Sequence, residues 1–153
     1  MKKLLRMFGI MAVAAILGFS LIACGGGGGS KPYEVWALSV MANPLLALPE
    51  FAGVSQGDVH EQRQDMIDKT LAMSVAQRIA LMEKIKLLPR EQNPSDPPVE
   101  GKRYTEAEII DMAPNEEEAA NFLAFLNAQT AIFEFERDGL SATSIDVIFI
   151  RKH

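Results

Sequence analysis

The sequence predicts a mostly α fold, a small helical bundle built on a long central helix. An apolar segment with a capping signal runs from Asp58 to Leu88, and a second capped segment begins at Asn115. Four prolines and a glycine in residues 89–103 indicate a loop that connects these helices. An α+β fold, with a short β element formed by the two ends of the domain, is the alternative.

The first apolar segment of the domain covers residues 33–51 and is interrupted by Pro44 and Pro49. Residues 33–41 fit either a short helix or a strand. We favour a helix because Tyr33, Trp36 and Val40 fall on one face at helical spacing. Trp36 is expected to be a core or docking residue.

The long helix gives the clearest signal. Asp58 is a good N-cap, Glu61 follows three residues later, and Pro89 marks the end. Its apolar side chains recur every three or four residues: Ile67, Leu71, Val75, Ile79, Met82 and Ile85. Further apolar residues widen this stripe, so the helix is expected to be central in the bundle or covered by a partner.

Two more helices are predicted after the loop. Thr105 and Glu108 form a capping-box pattern that opens a short helix through Met112. Asn115 then caps a Phe-rich helix that runs to about Asp138, with Gly139 as the residue after its end. Its first turn is acidic, which suits the positive end of a helix dipole.

The tail, residues 141–153, is ambiguous. Its β-branched residues around Ile145–Ile150 favour a strand, whereas the spacing of Thr143 and Asp146 favours a helix start. A strand here would need a partner, and residues 33–40 are the candidate. Both assignments stay open.

The first residues have the pattern of a secretory signal. Lys2, Lys3 and Arg6 precede an uncharged run from Met7 to Ile22. That run is short for a membrane span, which needs roughly 20 residues, and suits the apolar core of a signal peptide. An uncleaved signal anchor is the alternative.

The tetrad Leu21, Ile22, Ala23 and Cys24 resembles the lipobox of bacterial lipoproteins. The resemblance covers residues 1–24 and implies that the thiol of Cys24 receives a diacylglyceryl group. It also implies cleavage between Ala23 and Cys24 and, in many Gram-negative bacteria, acylation of the new amino group. Gly25 stands where an aspartate would resemble an inner-membrane retention signal, which favours the outer membrane. The direction in which the protein faces stays open.

These features predict three segments. Residues 1–23 form the lipoprotein signal peptide, residues 24–32 form the lipidated cysteine with a Gly-rich tether, and residues 33–153 form a single acidic domain. Three of the fifteen Lys and Arg residues leave with the signal, so twelve face twenty Asp and Glu, a net charge of −8. This balance argues against nucleic acid and against electrostatic adhesion to anionic lipid as partners. With Cys24 acylated, no cysteine remains for a disulfide or a thiolate zinc site.

Few side chains point to chemistry, and we predict no catalytic, metal-ligating or cofactor-binding residue. His60 and Gln64 share a helix face, a weak metal half-site, but a solvated helix start is the simpler interpretation. His153 is the last residue, and chain termini are usually mobile. The acidic zone is explained by helix capping and the helix dipole; it comprises Glu106, Glu108, Asp111, Glu116, Glu117 and Glu118.

Three functions follow as hypotheses. The first is a non-enzymatic role in the cell envelope, through binding of another envelope protein. The second is carriage of an apolar ligand in a cleft between the long helix and the Phe-rich helix. The third is a hydrolase, which requires His60 packed against a carboxylate and a hydroxyl.

Overall fold

Residues 30–91 and 98–153 are described by a computed structural model, and they form an α+β fold. Four strands make one antiparallel sheet in the order β2-β1-β4-β3. They are β1 (Tyr33–Met41), β2 (Val99–Tyr104), β3 (Ala131–Glu136) and β4 (Ser144–Lys152). The predicted mostly α bundle on a long central helix is therefore wrong.

Five α-helices surround the sheet in the described residues: α1 (Ala42–Leu46), α2 (Val59–Leu71), α3 (Val75–Lys86), α4 (Glu106–Met112) and α5 (Glu116–Gln129). A 3-10 helix, Pro49–Phe51, follows α1. Among the helix starts predicted from capping residues, Asp58, Thr105 and Asn115 are confirmed, because each side chain accepts a main-chain N–H of the first turn.

The long helix predicted from Asp58 to Leu88 is wrong, because the segment divides into α2 and α3. Ser74 begins α3 with a full capping box, in which its hydroxyl accepts from the N–H of Gln77 and the Gln77 side chain accepts from the N–H of Ser74. Two reciprocal bonds at Ser74 satisfy main-chain groups that would otherwise lack partners at a helix start. The chain can then turn between the helices while the apolar stripe of both still faces the sheet.

The Phe-rich helix ends at Gln129 rather than near Asp138. Thr130 has φ of 65°, which breaks the helix, and the next six residues, AIFEFE, form β3. In a strand, successive side chains point to opposite faces of the sheet. Phe133 and Phe135 point to one face while Ile132 and Glu134 point to the other, so this segment has the pattern of a strand. Gly139, expected after a helix, lies instead in the turn between β3 and β4.

Both ends of the domain are strands, so the helix favoured for residues 33–41 is wrong. Tyr33–Met41 pairs along its whole length with Ser144–Lys152. The alternative of a two-stranded ribbon predicted this pairing but missed the two outer strands. One of these, β2, lies in the last part of the segment interpreted as a loop, of which residues 92–97 lie outside the described residues.

The sheet separates two hydrophobic cores. One face of the sheet packs against α2 and α3, where the core includes Leu38, Phe133 and Met82. The other face packs against α4 and α5, where it includes Ile150 and Leu126. Residues of β1 alternate between the two cores, as expected for a strand buried on both faces. This layered arrangement decides which predicted sites are possible.

Candidate functional surface

The entry end of the sheet is the end at which the chain arrives from residue 30. Here β1 begins while β2 and β4 finish, so residues distant in sequence become neighbours. Glu34 pairs across the strands with Arg103 on one side and Arg151 on the other. One residue further out, Tyr33 lies between Tyr104 and Lys152.

Glu34 is the hub of this end. Its carboxylate accepts a hydrogen bond from the indole N–H of Trp36, contacts the ring of His153, and lies 3.5 Å from the Arg103 guanidinium. Burial alone would raise the pKa of Glu34. The hydrogen bonds from Trp36 and His153 and the charges of His153 and Arg103 outweigh it, so its pKa lies below the usual value.

Trp36 lies beside this hub and is held from two sides. The Nζ atom of Lys86 lies 3.9 Å from the centre of its ring, a cation–π contact. Gly101 of β2 lies against the other side with φ of +63°, and a Cβ at that position would be 3.0 Å from the ring. The pairing register of β1 and β2 shifts between Val35 and Ala37, which gives the ring its space.

At the opposite end of the sheet, Arg63 of α2 reaches the outer edge of β3. Its guanidinium donates to the carbonyl of Phe135 at 2.8 Å and to the Glu134 carboxylate at 2.7 Å. Burial raises the pKa of Glu134 to about 7, with Arg63 opposing the rise and Glu136 adding to it. The recess beside Arg63, also lined by Gln62, holds about 10 Å³, roughly one water molecule. It is too small for an organic ligand.

Arg78 of α3 binds the other half of the β3 edge. It is 4% exposed and donates to the carbonyls of Thr70, Leu71, Gln129 and Ala131, at 2.7–3.2 Å, and to the Gln129 side chain. These acceptors belong to the last turns of α2 and α5 and to the first residue of β3. Arg78 therefore joins three elements and covers part of an edge that could otherwise pair with another chain.

The two histidines of the chain lie in different surroundings. His60 is exposed, and its main-chain N–H donates to the carboxylate of Asp58. Gln64, its supposed co-ligand, donates instead to Asp68. His153 is held by Glu34 and by a main-chain bond to Pro32, so this terminus is anchored in the structure.

The acidic zone is divided among helix starts. Glu108 accepts the N–H of Thr105, and Glu118 accepts from the Asn115 side chain, while its own N–H donates to Asn115. No cluster of three or more His, Cys, Asp or Glu residues suited to a metal occurs within residues 30–91 and 98–153.

The predicted cleft for an apolar ligand cannot form between its two helices. The segment of the long helix packs on one face of the sheet, whereas the Phe-rich helix packs on the other. The phenylalanines of β3 fill the first core themselves, with ring centres of Phe133 and Phe149 4.8 Å apart.

Cys24 and Ala23, the predicted lipidation and cleavage residues, lie outside the described residues. None of the helices in the described part combines the length and the hydropathy needed to cross a bilayer.

Searches for related proteins found no match of significance among protein-family models, curated proteins or solved structures. The function has to be argued from the chain itself.

Proposed function

We propose that this chain is a bacterial lipoprotein, anchored through acylated Cys24, whose domain acts non-enzymatically by binding another protein of the cell envelope. The carrying observation is the tetrad Leu21–Cys24 at the end of a charged and then apolar leader. It places the only cysteine of the chain where lipoprotein signals place theirs.

The physical chemistry of the anchor fits the sequence that follows it. Each buried methylene contributes about 0.8 kcal/mol, and two or three acyl chains are needed for firm attachment. Six residues of a Gly-rich composition like that of Gly25–Ser30 typically span about 13 Å root-mean-square. The folded strand β1 starts at Tyr33, so the anchor would hold the domain close to the bilayer. Gly25 favours the outer membrane over the inner one.

A non-enzymatic role is favoured by the positions of the two histidines. His60 is exposed, without the carboxylate and hydroxyl partners that the hydrolase hypothesis requires of it. His153 contacts Glu34 at the entry end of the sheet, where both side chains are partly exposed to solvent.

The anchor is tested by mass spectrometry of the protein purified from membranes. We expect a mature chain that begins at Cys24 and carries a diacylglyceryl group. The Cys24→Ser variant should retain its leader and lack the lipid, whereas the control Ser30→Ala should be processed normally. An intact leader on the natural chain, or an unmodified thiol, would contradict the proposal.

The partner is tested by crosslinking in intact cells before membranes are dissolved. The lipidated protein should be crosslinked reproducibly to one envelope protein. A variant in which the charged surface residues at the crosslinked site are neutralised should abolish the adduct. Recovery of the monomer alone at all crosslinker lengths would contradict a protein-binding role while leaving the anchor intact.

A further inference from the structure

The sheet register gathers cations at the entry end. Five of the twelve Lys and Arg residues beyond the leader lie there, against three of the twenty carboxylates. The cations are Lys31, Lys102, Arg103, Arg151 and Lys152, and the carboxylates are Glu34, Glu106 and Glu108. The remainder of the domain then has seven cations against seventeen carboxylates, a net charge of −10.

Two of the three carboxylates at this end, Glu34 and Glu108, have partners within the domain. Glu34 contacts Arg103, His153 and Trp36, and Glu108 accepts the N–H of Thr105. Glu108 lies 3.8 Å from the exposed Lys31. Part of their negative charge is therefore offset by protein groups.

Three of the cations form no salt bridge, although Lys102 lies near enough to Glu108 to lower its pKa and is 5.1 Å from the centre of the Tyr104 ring. Across the described parts of the chain, no carboxylate lies within salt-bridge distance of Lys102, Arg151 or Lys152. Their charges are available to an external anion.

The cations encircle the end rather than covering one face. Arg103 and Arg151 pair with Glu34, so they share the face of α2 and α3. Lys102 and Lys152 pair with Val35 and Tyr33, which belong to the opposite core. A planar anionic surface that met the strand ends head-on could contact cations of both sets.

The attachment of the chain points to that surface. Lys31 and Pro32 enter at this same end, and Cys24 precedes them by a short Gly-rich spacer. Attraction between exposed charges persists over a Debye length of about 8 Å at physiological salt. A Gly-rich spacer of about 13 Å allows the entry end to approach lipid headgroups to within this distance once Cys24 is in the bilayer.

We propose that the entry end of the sheet docks on anionic phospholipid headgroups and holds the domain end-on, with the opposite end of the sheet turned away from the membrane. This inference rests on the proposed anchor at Cys24. It reverses the expectation from net charge alone that lipid would not attract this domain electrostatically. The overall charge is negative, but the end that meets the membrane is not.

Trp36 permits a direct test, since it is the only tryptophan of the chain and lies beside the entry end. The native lipidated protein is reconstituted into vesicles of phosphatidylcholine, alone or mixed with phosphatidylglycerol. A trace of lipid with a nitroxide on its headgroup quenches nearby tryptophan fluorescence. We expect stronger quenching of Trp36 in the anionic vesicles, and loss of the difference at high salt.

The matched variants separate this end from the rest of the surface. Lys102→Gln with Lys152→Gln should lower the ratio of docked to undocked protein by up to about 25-fold, or about 5-fold for each cation. The control, Lys84→Gln with Arg90→Gln, removes two cations that are paired with Glu50 and Glu100 away from the entry end. It should leave the quenching unchanged.

Three outcomes would overturn the proposal. Equal quenching in neutral and anionic vesicles, with the protein floating with both, refutes the docking and leaves the anchor standing. An equal loss in both double variants assigns the attraction to overall charge instead of the entry end. A native protein without an acyl group that fails to float with neutral vesicles refutes the anchor, and the docking with it.

Discussion

Replacing Arg78 with methionine should destabilise the domain by about 4 kcal/mol. Among its hydrogen bonds, those to the carbonyls of Thr70 and Ala131 are fully buried. A hydrogen bond to a charged group contributes about 1.5–3 kcal/mol, and the carbonyl of Thr70 keeps a second donor, the N–H of Met73 at 3.2 Å, after the substitution. Two such losses give about 3–6 kcal/mol, and the apolar methionine retains part of the packing.

The cost is high because further acceptors of Arg78 lie at helix ends, where main-chain donors are scarce. They include terminal carbonyls of α2 and α5, which lack partners within their helices and form the negative ends of the helix dipoles. Desolvation lowers the pKa of Arg78, but an arginine stays charged in a protein. The buried charge and the helix ends therefore stabilise each other. Since domains are stable by only about 5–15 kcal/mol, the loss should be a large fraction of the total.

The measurement is urea unfolding of a soluble form that begins at residue 25, followed by Trp36 fluorescence. Arg78→Met should lower the midpoint at constant slope. Arg78→Lys keeps the charge but loses the planar fork, so about half of the loss is expected. The control Arg90→Met removes an exposed ion pair with Glu100 and should cost less than about 1 kcal/mol. A free energy of unfolding for Arg78→Met as high as that of the control would refute the reasoning.

Three further predictions concern stability. The pKa of Glu134 is raised to about 7 in the folded domain, against about 4.3 in the unfolded chain. The contribution of its protonated carboxyl to the free energy of unfolding is therefore complete below about pH 4.3 and is lost as the pH rises through about 7. The free energy of unfolding should fall by up to about 3 kcal/mol from pH 5 to pH 8. Unfolding measured at both pH values should show a smaller fall for the Glu134→Gln variant. Ser74→Ala removes the capping box of α3 and should cost about 1 kcal/mol in chemical denaturation, whereas the exposed Ser141→Ala should be neutral. Gly101→Ala combines a positive φ with a Cβ contact of 3.0 Å to the tryptophan ring, so its thermal midpoint should drop by an amount equivalent to about 1–3 kcal/mol. Gly139→Ala, with open space around it, is the control, and an equal midpoint for the two variants would contradict the role of backbone strain.

The capping residues predicted helix starts correctly from the sequence. Asp58, Thr105 and Asn115 each mark a helix start that the structure contains, because a cap acts through bonds to its own first turn. The same logic was available at Ser74 and Gln77, whose spacing is that of a capping box. The apolar periodicity on both sides concealed it, since two successive helices on one sheet face carry the same stripe.

The cluster of cations at the entry end could not be predicted from the order of residues along the chain. Lys102–Arg103 and Arg151–Lys152 are two basic pairs almost fifty residues apart, and neither is a motif by itself. Their pairing with Tyr33, Glu34 and Val35 unites them. Net charge could not reveal this, because it sums over the whole surface and carries no position.

The sequence by itself determined the helix starts at Asp58, Thr105 and Asn115, and it predicts an anchor at Cys24. Tertiary structure alone decided that residues 33–41 are a strand, because an apolar segment takes either form until partners supply bonds to its main chain. It decided where the Phe-rich helix ends for the same reason. Beyond Gln129 the main-chain N–H and C=O groups bond to β4 instead of forming another turn of helix. A helix cap depends on residues within one turn of each other, so the sequence shows it directly. The sheet and its charged entry end form only when strands from both halves of the chain pair.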